Sequence, residues 1–343
     1  MPFSAETLAN LANASLDFHL RQQPESQTIQ DRPLFNDLWA MKKTFPGGKE
    51  YIDGPVKGVY TSEQVGYEGD DEQDFEEPNN IKRWRVKWYE TAANIKMSYT
   101  ELKKNGIRVV EGGSSAKTVV ASEAEMVQLS NIFDDKMEDL IEGSRRSLAD
   151  MFWQDGTQDA KAVPGIQSFI TSATTGLTFN IDRANSWWRN LSSLLISDAT
   201  PSDLNITNAL QAKMRQLRRY GSPKHKMYAG STFLSSWEAE FRSKGNFTLN
   251  GWNKANAVDA LMADPQLGSL ACQYDPHLDD LGYAKYSYIL DHNAIKLRVM
   301  EGEDWKIMSP HRPPEVFVLY KQLTFTGALC ANRLNTSAVF SVD

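Results

Sequence analysis

The chain is poor in the features that mark a secreted, membrane-bound or metal-dependent protein. Only two of its 343 residues are cysteines, Cys272 and Cys330, which leaves a disulfide framework or a thiolate zinc site almost nothing to build on. Buried thiols are the expectation for both. No run approaches the roughly 18 uncharged apolar residues that cross a bilayer, and the first thirty positions lack a basic start followed by an apolar stretch. An intracellular, soluble protein with no membrane partner is therefore expected. The five histidines, His19, His225, His277, His292 and His311, fall in no His-x-x-His or His-Glu-x-x-His spacing. The acidic run from Asp70 to Glu77 lacks the alternating ligands and central glycine of a calcium loop, and there is no Gly-x-Ser-x-Gly elbow. No metal, cofactor or catalytic residue is assigned. A net charge of −7, from 37 basic and 44 acidic residues, also argues against a dominant basic surface that grips nucleic acid.

What is present is a globular composition, 41% hydrophobic and 24% charged, on a length that suits roughly two compact units of about 150 residues each. Residues 1–45 read as an arm. It ends in an apolar and aromatic cluster, Leu34, Phe35, Leu38, Trp39 and Phe45, closed by Pro46-Gly47-Gly48, and is expected to anchor there.

Residues 49–100 carry the clearest pattern. Trp84, Val86 and Trp88 alternate strictly with Arg83, Arg85 and Lys87, which is the period of a β-strand. Ile95, Met97 and Tyr99 resume it, and Val56 to Thr61 offers an outgoing leg after Gly54-Pro55, so a long two-legged ribbon is expected. Between the legs stand eight acids, Glu63, Glu68, Asp70, Asp71, Glu72, Asp74, Glu76 and Glu77, with no Lys or Arg among them. A two-stranded ribbon is marginal in water unless something covers it, and its open edges invite other chains. Laying it across a neighbouring copy is the expected solution. The candidate intersubunit contacts are Glu68, Asp70, Asp71, Asp74, Glu76, Glu77, Arg83, Trp84, Arg85, Val86, Lys87 and Trp88. Exposed charge pairs contribute only about 0–1 kcal/mol each, but they set register and reject wrong neighbours.

Apolar residues at steps of three and four from Val119 to Phe152 predict a helix over 117–153, roughly 50 Å long. Further helices are predicted over Asn205–Tyr220, with an Asn cap and a basic last turn, and over Ser231–Ser243. Lys226–Ala229, Tyr286–Leu290, Ile295–Met300 and Glu315–Ala328 read as strands, the last long and apolar enough to be central. The class is α+β, without a βαβ repeat. Gly112 to Thr118 opens the long helix as a phosphate-cradling loop would, but Glu111 and Ala116 occupy the positions where such a loop needs glycine. A nucleotide-hydrolysing enzyme is thus the last of the alternatives. The basic stretch Lys213 to Lys226 reads equally as a phosphate contact and as a solvated or intersubunit face.

The order of these segments resembles a known family. The arm, the ribbon and the long helix are followed by Phe152-Trp153-Gln154-Asp155-Gly156-Thr157 leading to Val163-Pro164-Gly165-Ile166. Then come a helix ending in Arg219-Tyr220-Gly221, the stretch Ala229-Gly230-Ser231-Thr232, and a terminal strand through Thr324-Phe325-Thr326-Gly327 to Ser341. Together they resemble the major capsid proteins of tailed phages, the Hong Kong 97-like fold, which is shared with encapsulin nanocompartments. The resemblance implies an N-terminal arm (1–45), an extended β-ribbon loop (46–100), a peripheral domain with its sheet and spine helix (101–204 and 311–343, spine 117–153), and an axial domain (205–310).

In function it implies a structural, non-enzymatic subunit that self-assembles into hexamers and pentamers of an icosahedral phage head around double-stranded DNA. The implied partners are further copies of the chain, a portal protein, a separate scaffolding protein, a possible decoration protein, and packaged DNA held by non-specific contact. The implied location is the virion, with assembly in the host cytoplasm. An encapsulin-like compartment shell is the alternative. The spine helix begins too near Met1 to leave room for a fused scaffolding domain, so no N-terminal maturation cleavage is expected. Members that crosslink covalently use a Lys and an Asn, and Lys49, Lys57, Asn332 and Asn335 lie in the corresponding regions.

Overall fold

The computed structural model describes residues 29–60, 62–72, 80–98, 100, 123–220, 224–243, 266–267, 270–308 and 318–343. Near its start a short helix, α1 (Pro33–Ala40), buries Leu34, Phe35 and Leu38, and Phe35 stacks on Phe152 with ring centroids 5.9 Å apart. Phe152 belongs to α2 (Glu123–Trp153), a helix of 31 residues and therefore about 46 Å long. The predicted helical residues 117–122 and the Gly112–Thr118 motif lie outside the described residues.

The end of α2 is fixed by packing and by one buried carboxylate. Leu148, Ala149, Phe152 and Trp153 are buried, and the Trp153 indole donates to Asp275 Oδ2 at 3.0 Å. Burial pushes the Asp275 carboxyl above its ordinary range, against the opposing pull of His277 and of the N–H groups it accepts from. The chain then doubles back, and the Gly165 N–H donates to Gln154 O at 2.8 Å. A Cβ on Gly165 would sit 2.3 Å from the Met151 and Phe152 carbonyl oxygens, so this close approach requires glycine.

Two sheets carry the body. In the first, β14 (Val318–Ala331) is the hub. It pairs antiparallel with β4 (Tyr89–Ser98), β12 (Ile295–Met300) and β13 (Lys306–Ile307), and β1 (Lys43–Phe45) adds to β12 in parallel. The central strand expected from its length and apolarity is thus central. The second sheet has the order β7-β15-β11-β8-β10-β9, from β7 (Leu191–Ile196), β15 (Ala338–Val342), β11 (Tyr286–Asp291), β8 (His225–Ala229), β10 (Leu270–Tyr274) and β9 (Gln266–Leu267). Its inner strands β15, β11 and β8 are buried on both faces. Tyr228, Tyr288, Leu290 and Val339 join the core that contains α1 and the end of α2, whereas Met227, Ile289, Ala338 and Phe340 join a second core. A strand covered on both sides reads as a continuous apolar run rather than an alternation, as Ala338–Val342 does.

The second core lies under α3 (Asn205–Leu217) and α4 (Ser231–Ser243). Ile206, Leu210, Met214 and Leu217 point inward from α3 at helical spacing. Its first turn is capped from a distance rather than by Asn205. The buried Glu240 carboxylate of α4 accepts from Ile206 N at 2.6 Å, Thr207 N at 2.9 Å and Thr207 Oγ1 at 2.8 Å, which satisfies the open N–H groups of the helix start and suits its dipole.

Candidate assembly surface on the ribbon

The expected ribbon exists, with its outgoing leg placed earlier than the sequence suggested. β2 (Tyr51–Lys57) pairs antiparallel with β3 (Ile81–Lys87), setting Tyr51 opposite Lys87 and Lys57 opposite Ile81. Pro55 lies within β2, which is tolerated because β2 is an edge strand. Gly54 faces Trp84, and a Cβ there would lie 2.8 Å from the indole. The Gly-Pro pair that reads as a break is therefore the seat of a tryptophan. The return leg does not continue along the ribbon past Trp88, because β4 leaves it to pair with β14.

The two faces of the ribbon base differ in chemistry. The inner face carries Ile52, Trp84 and Val86, which are 7%, 2% and 9% exposed and belong to the core of the chain itself. This corrects the expectation that a neighbouring copy covers Trp84 and Val86. Their own subunit does so, with Arg298 placed over the Trp84 ring. Trp88 is half-buried and donates from its indole N–H to Lys49 O at 2.8 Å. On the outer face the cations are engaged locally. Arg83 Nη1 lies 3.1 Å from Asp53 Oδ2, Arg85 sits over the Tyr51 ring and Lys87 over Tyr89. A hydrogen bond to Glu50 raises the Tyr51 phenol above its ordinary range.

The base rests on a hairpin, β5 (Leu177–Thr178) and β6 (Ile181–Asp182). Arg85 N–H donates to Phe179 O at 2.9 Å, and the Trp187 indole packs where a Gly58 Cβ would be. The segment before and around that hairpin is organised by Arg183, a residue sequence reasoning did not single out. Its five N–H donors end on neutral oxygens: Nε on Ala173 O, Nη1 on Phe169 O and Thr178 Oγ1, Nη2 on Thr171 O and Asn190 Oδ1. Burial, then the charge of Arg189, holds this guanidinium below its ordinary pKa.

Beyond Gly58, residues 59, 60 and 62–72 are exposed to solvent. Glu63, Glu68, Asp70, Asp71 and Glu72 are exposed, and among them stand Tyr60, Val65 and Tyr67, exposed at 75%, 78% and 69%. Asp71 closes a turn by accepting from Glu68 N at 3.0 Å. Asp74, Glu76 and Glu77 lie outside the described residues. Tyr60, Val65 and Tyr67 were missed in the sequence because the density of acids around them reads as a solvated loop. Their signal was the presence of large apolar side chains in a stretch with no helical or strand period.

Among the described residues no His, Cys, Asp or Glu group is disposed to hold a metal ion, and no helix is long and apolar enough to cross a membrane. Cys272 and Cys330 are both buried, and burial pushes the Cys330 thiol up to about 12.

This fold of ribbon, long helix and two sheets is shared with phage capsid chains. The chain superposes on a capsid chain of cyanophage A-1(L) with a TM-score of 0.64 at 10% identity, covering 93% of this chain and 94% of that one. For the capsid of Myoviridae phage XM1 the TM-score is 0.54 at 11% identity, covering 95% and 98%. For the capsid of a native GTA particle it is 0.53 at 14% identity, covering 96% and 98%. No protein-family model and no curated protein matches the sequence. The fold expected from the order of segments is the observed one, and it is shared at a level of identity where few side chains coincide.

Proposed function

We propose that the chain is a major capsid subunit, a structural protein that self-assembles into the hexamers and pentamers of an icosahedral phage head enclosing double-stranded DNA. The observation that carries this reading is the likeness to capsid chains over more than nine-tenths of both partners. The ribbon supports it. Tyr60, Val65 and Tyr67 stand exposed on an extension where a lone soluble subunit has no use for large apolar side chains. In this reading residues 1–45 are the arm, 46–100 the extended loop, 101–204 with 311–343 the peripheral domain, and 205–310 the axial domain. Glu68, Asp70, Asp71, Asp74, Glu76 and Glu77 meet another copy through the tip. The working partners are a portal protein, a separate scaffolding protein, a possible decoration protein and the packaged DNA, in a virion assembled in the host cytoplasm. Negative-stain imaging of the purified full chain over a range of concentrations tests the proposal. Shells or capsomers are expected, and a monomer at every concentration overturns it.

A further inference from the structure

The tip carries a charge that its own ribbon does not neutralise. Glu63 to Glu77 holds eight acids and no cation. Of the ribbon cations, Lys49, Lys57, Arg83, Arg85 and Lys87 are engaged on Asp53 or on tyrosine rings, which leaves the exposed Lys82 alone to face them. The tip therefore needs its counter-charge from another part of the molecule.

The body presents one. From Leu204 to Trp237 the sequence contains no Asp or Glu, in a chain whose net charge is −7. The exposed Arg215, Arg218 and Arg219 at the end of α3, with Lys224 just beyond, are joined in space by Arg333, whose Nη1 donates to Tyr220 O at 3.3 Å. Lys296 adds to the same patch. Its ammonium is held below the ordinary range by burial first and then by the charge of Lys43, with Asp291 opposing and Lys224 adding to the effect. One acid lies beneath, the buried Asp291, and it is occupied by Lys224 N, Asn293 N and Thr336 Oγ1. Among the described residues, no ion pair engages the exposed cations of the patch. An exposed aromatic, Tyr220, sits at its centre with Arg219 over the ring, which matches the tyrosines of the tip in kind.

Resting on the capsid-subunit reading, we infer that this basic patch around Tyr220 is the receptor for the acidic ribbon tip of a second copy of the chain. The patch and the tip have opposite charge and equal stoichiometry, and among the described residues no ion pair engages the exposed cations of the patch or Glu63, Glu68, Asp70, Asp71 and Glu72 of the tip. Complementarity of this kind sets the register of neighbours and speeds their encounter more than it adds raw affinity, and it is weakened by salt.

The test is charge exchange in the full-length protein. A tip variant (Glu68→Lys, Asp70→Lys, Glu72→Lys) and a patch variant (Arg215→Glu, Arg218→Glu, Lys224→Glu) are each expected to raise the concentration needed for assembly by at least about tenfold. Carrying both sets in one chain is expected to restore it to within about threefold. Unaltered melting of the unassembled subunits establishes that each variant folds. Wild-type thresholds in either single-site set, or no recovery in the combined chain, overturn the inference. So does a patch variant that assembles normally but no longer retains a double-stranded DNA fragment at low salt, which would give the patch to nucleic acid. A wild-type chain that never assembles overturns the capsid reading itself, an outcome distinct from these.

Discussion

The base and the tip of the ribbon are one hairpin with two different dependencies. At the base, alternate residues Ile52, Trp84 and Val86 enter the core of the subunit, and the cations opposite them close on Asp53 and Tyr51. At the tip, Tyr60, Val65 and Tyr67 face water together with Glu63, Glu68, Asp70, Asp71 and Glu72. A strand pair that is too small to hold itself is thus stabilised at one end by its own body, and only the other end is left for a partner. The contrast separates folding from association along a single element.

The largest effect belongs to the base. Trp84→Ala removes a buried indole that Gly54 and Arg298 are shaped to receive, and should cost the unassembled subunit about 3–5 kcal/mol in chemical unfolding. A loss below about 1 kcal/mol would mean that the ribbon base is not part of the core.

Acid should act on the body beneath α1 with an effect on the order of 3 kcal/mol. Tyr228 donates to Asp37 of α1 at 2.5 Å, and His292 Nε2 lies 2.8 Å from the Tyr228 oxygen. Burial pushes His292 down to about 4, with Asp37 and Asp291 favouring its charge and Lys226 and Lys296 opposing it. An imidazole that resists protonation when folded but accepts a proton near pH 6.5 when unfolded makes stability fall as pH drops from 6.5 towards 4. His292→Gln should flatten that part of the profile of unfolding free energy against pH, while the wild-type curve keeps its slope.

The smallest effect on stability belongs to the tip. Tyr60→Ser with Tyr67→Ser should change the unfolding free energy of the subunit by no more than about 0.5 kcal/mol while slowing shell formation seen by light scattering. Equal assembly rates would break the division between the two ends.

Much of this architecture was legible in advance because periodicity reports local burial. Ser231–Ser243 is helical over its predicted span, and Ile295–Met300 is the predicted strand, since each alternates or repeats against a single covering layer. Periodicity also located the inner face of Trp84 and Val86, but it could not say what covers that face, and the answer was the same subunit. The departure of β4 to β14 depends on a pairing between residues more than two hundred positions apart, for which one sequence carries no signal. Glu240, Asp275 and Arg183 were illegible for another reason. Each is a buried ionic group whose partners are mostly backbone atoms or come from distant segments, and in the sequence it looks like any surface charge.

The seam at Trp88 has a mechanical meaning. β3 and β4 are consecutive lengths of one extended backbone, Ile81–Lys87 and Tyr89–Ser98, separated by a single residue. The first belongs to the outstretched finger and the second is hydrogen-bonded to the hub strand of the body. No slack loop lies between them to absorb a pull. Tension applied at the fingertip by an adjoining molecule would travel along covalent bonds into β4 and pass through its ladder of hydrogen bonds to β14, making the finger a tether as well as a handle.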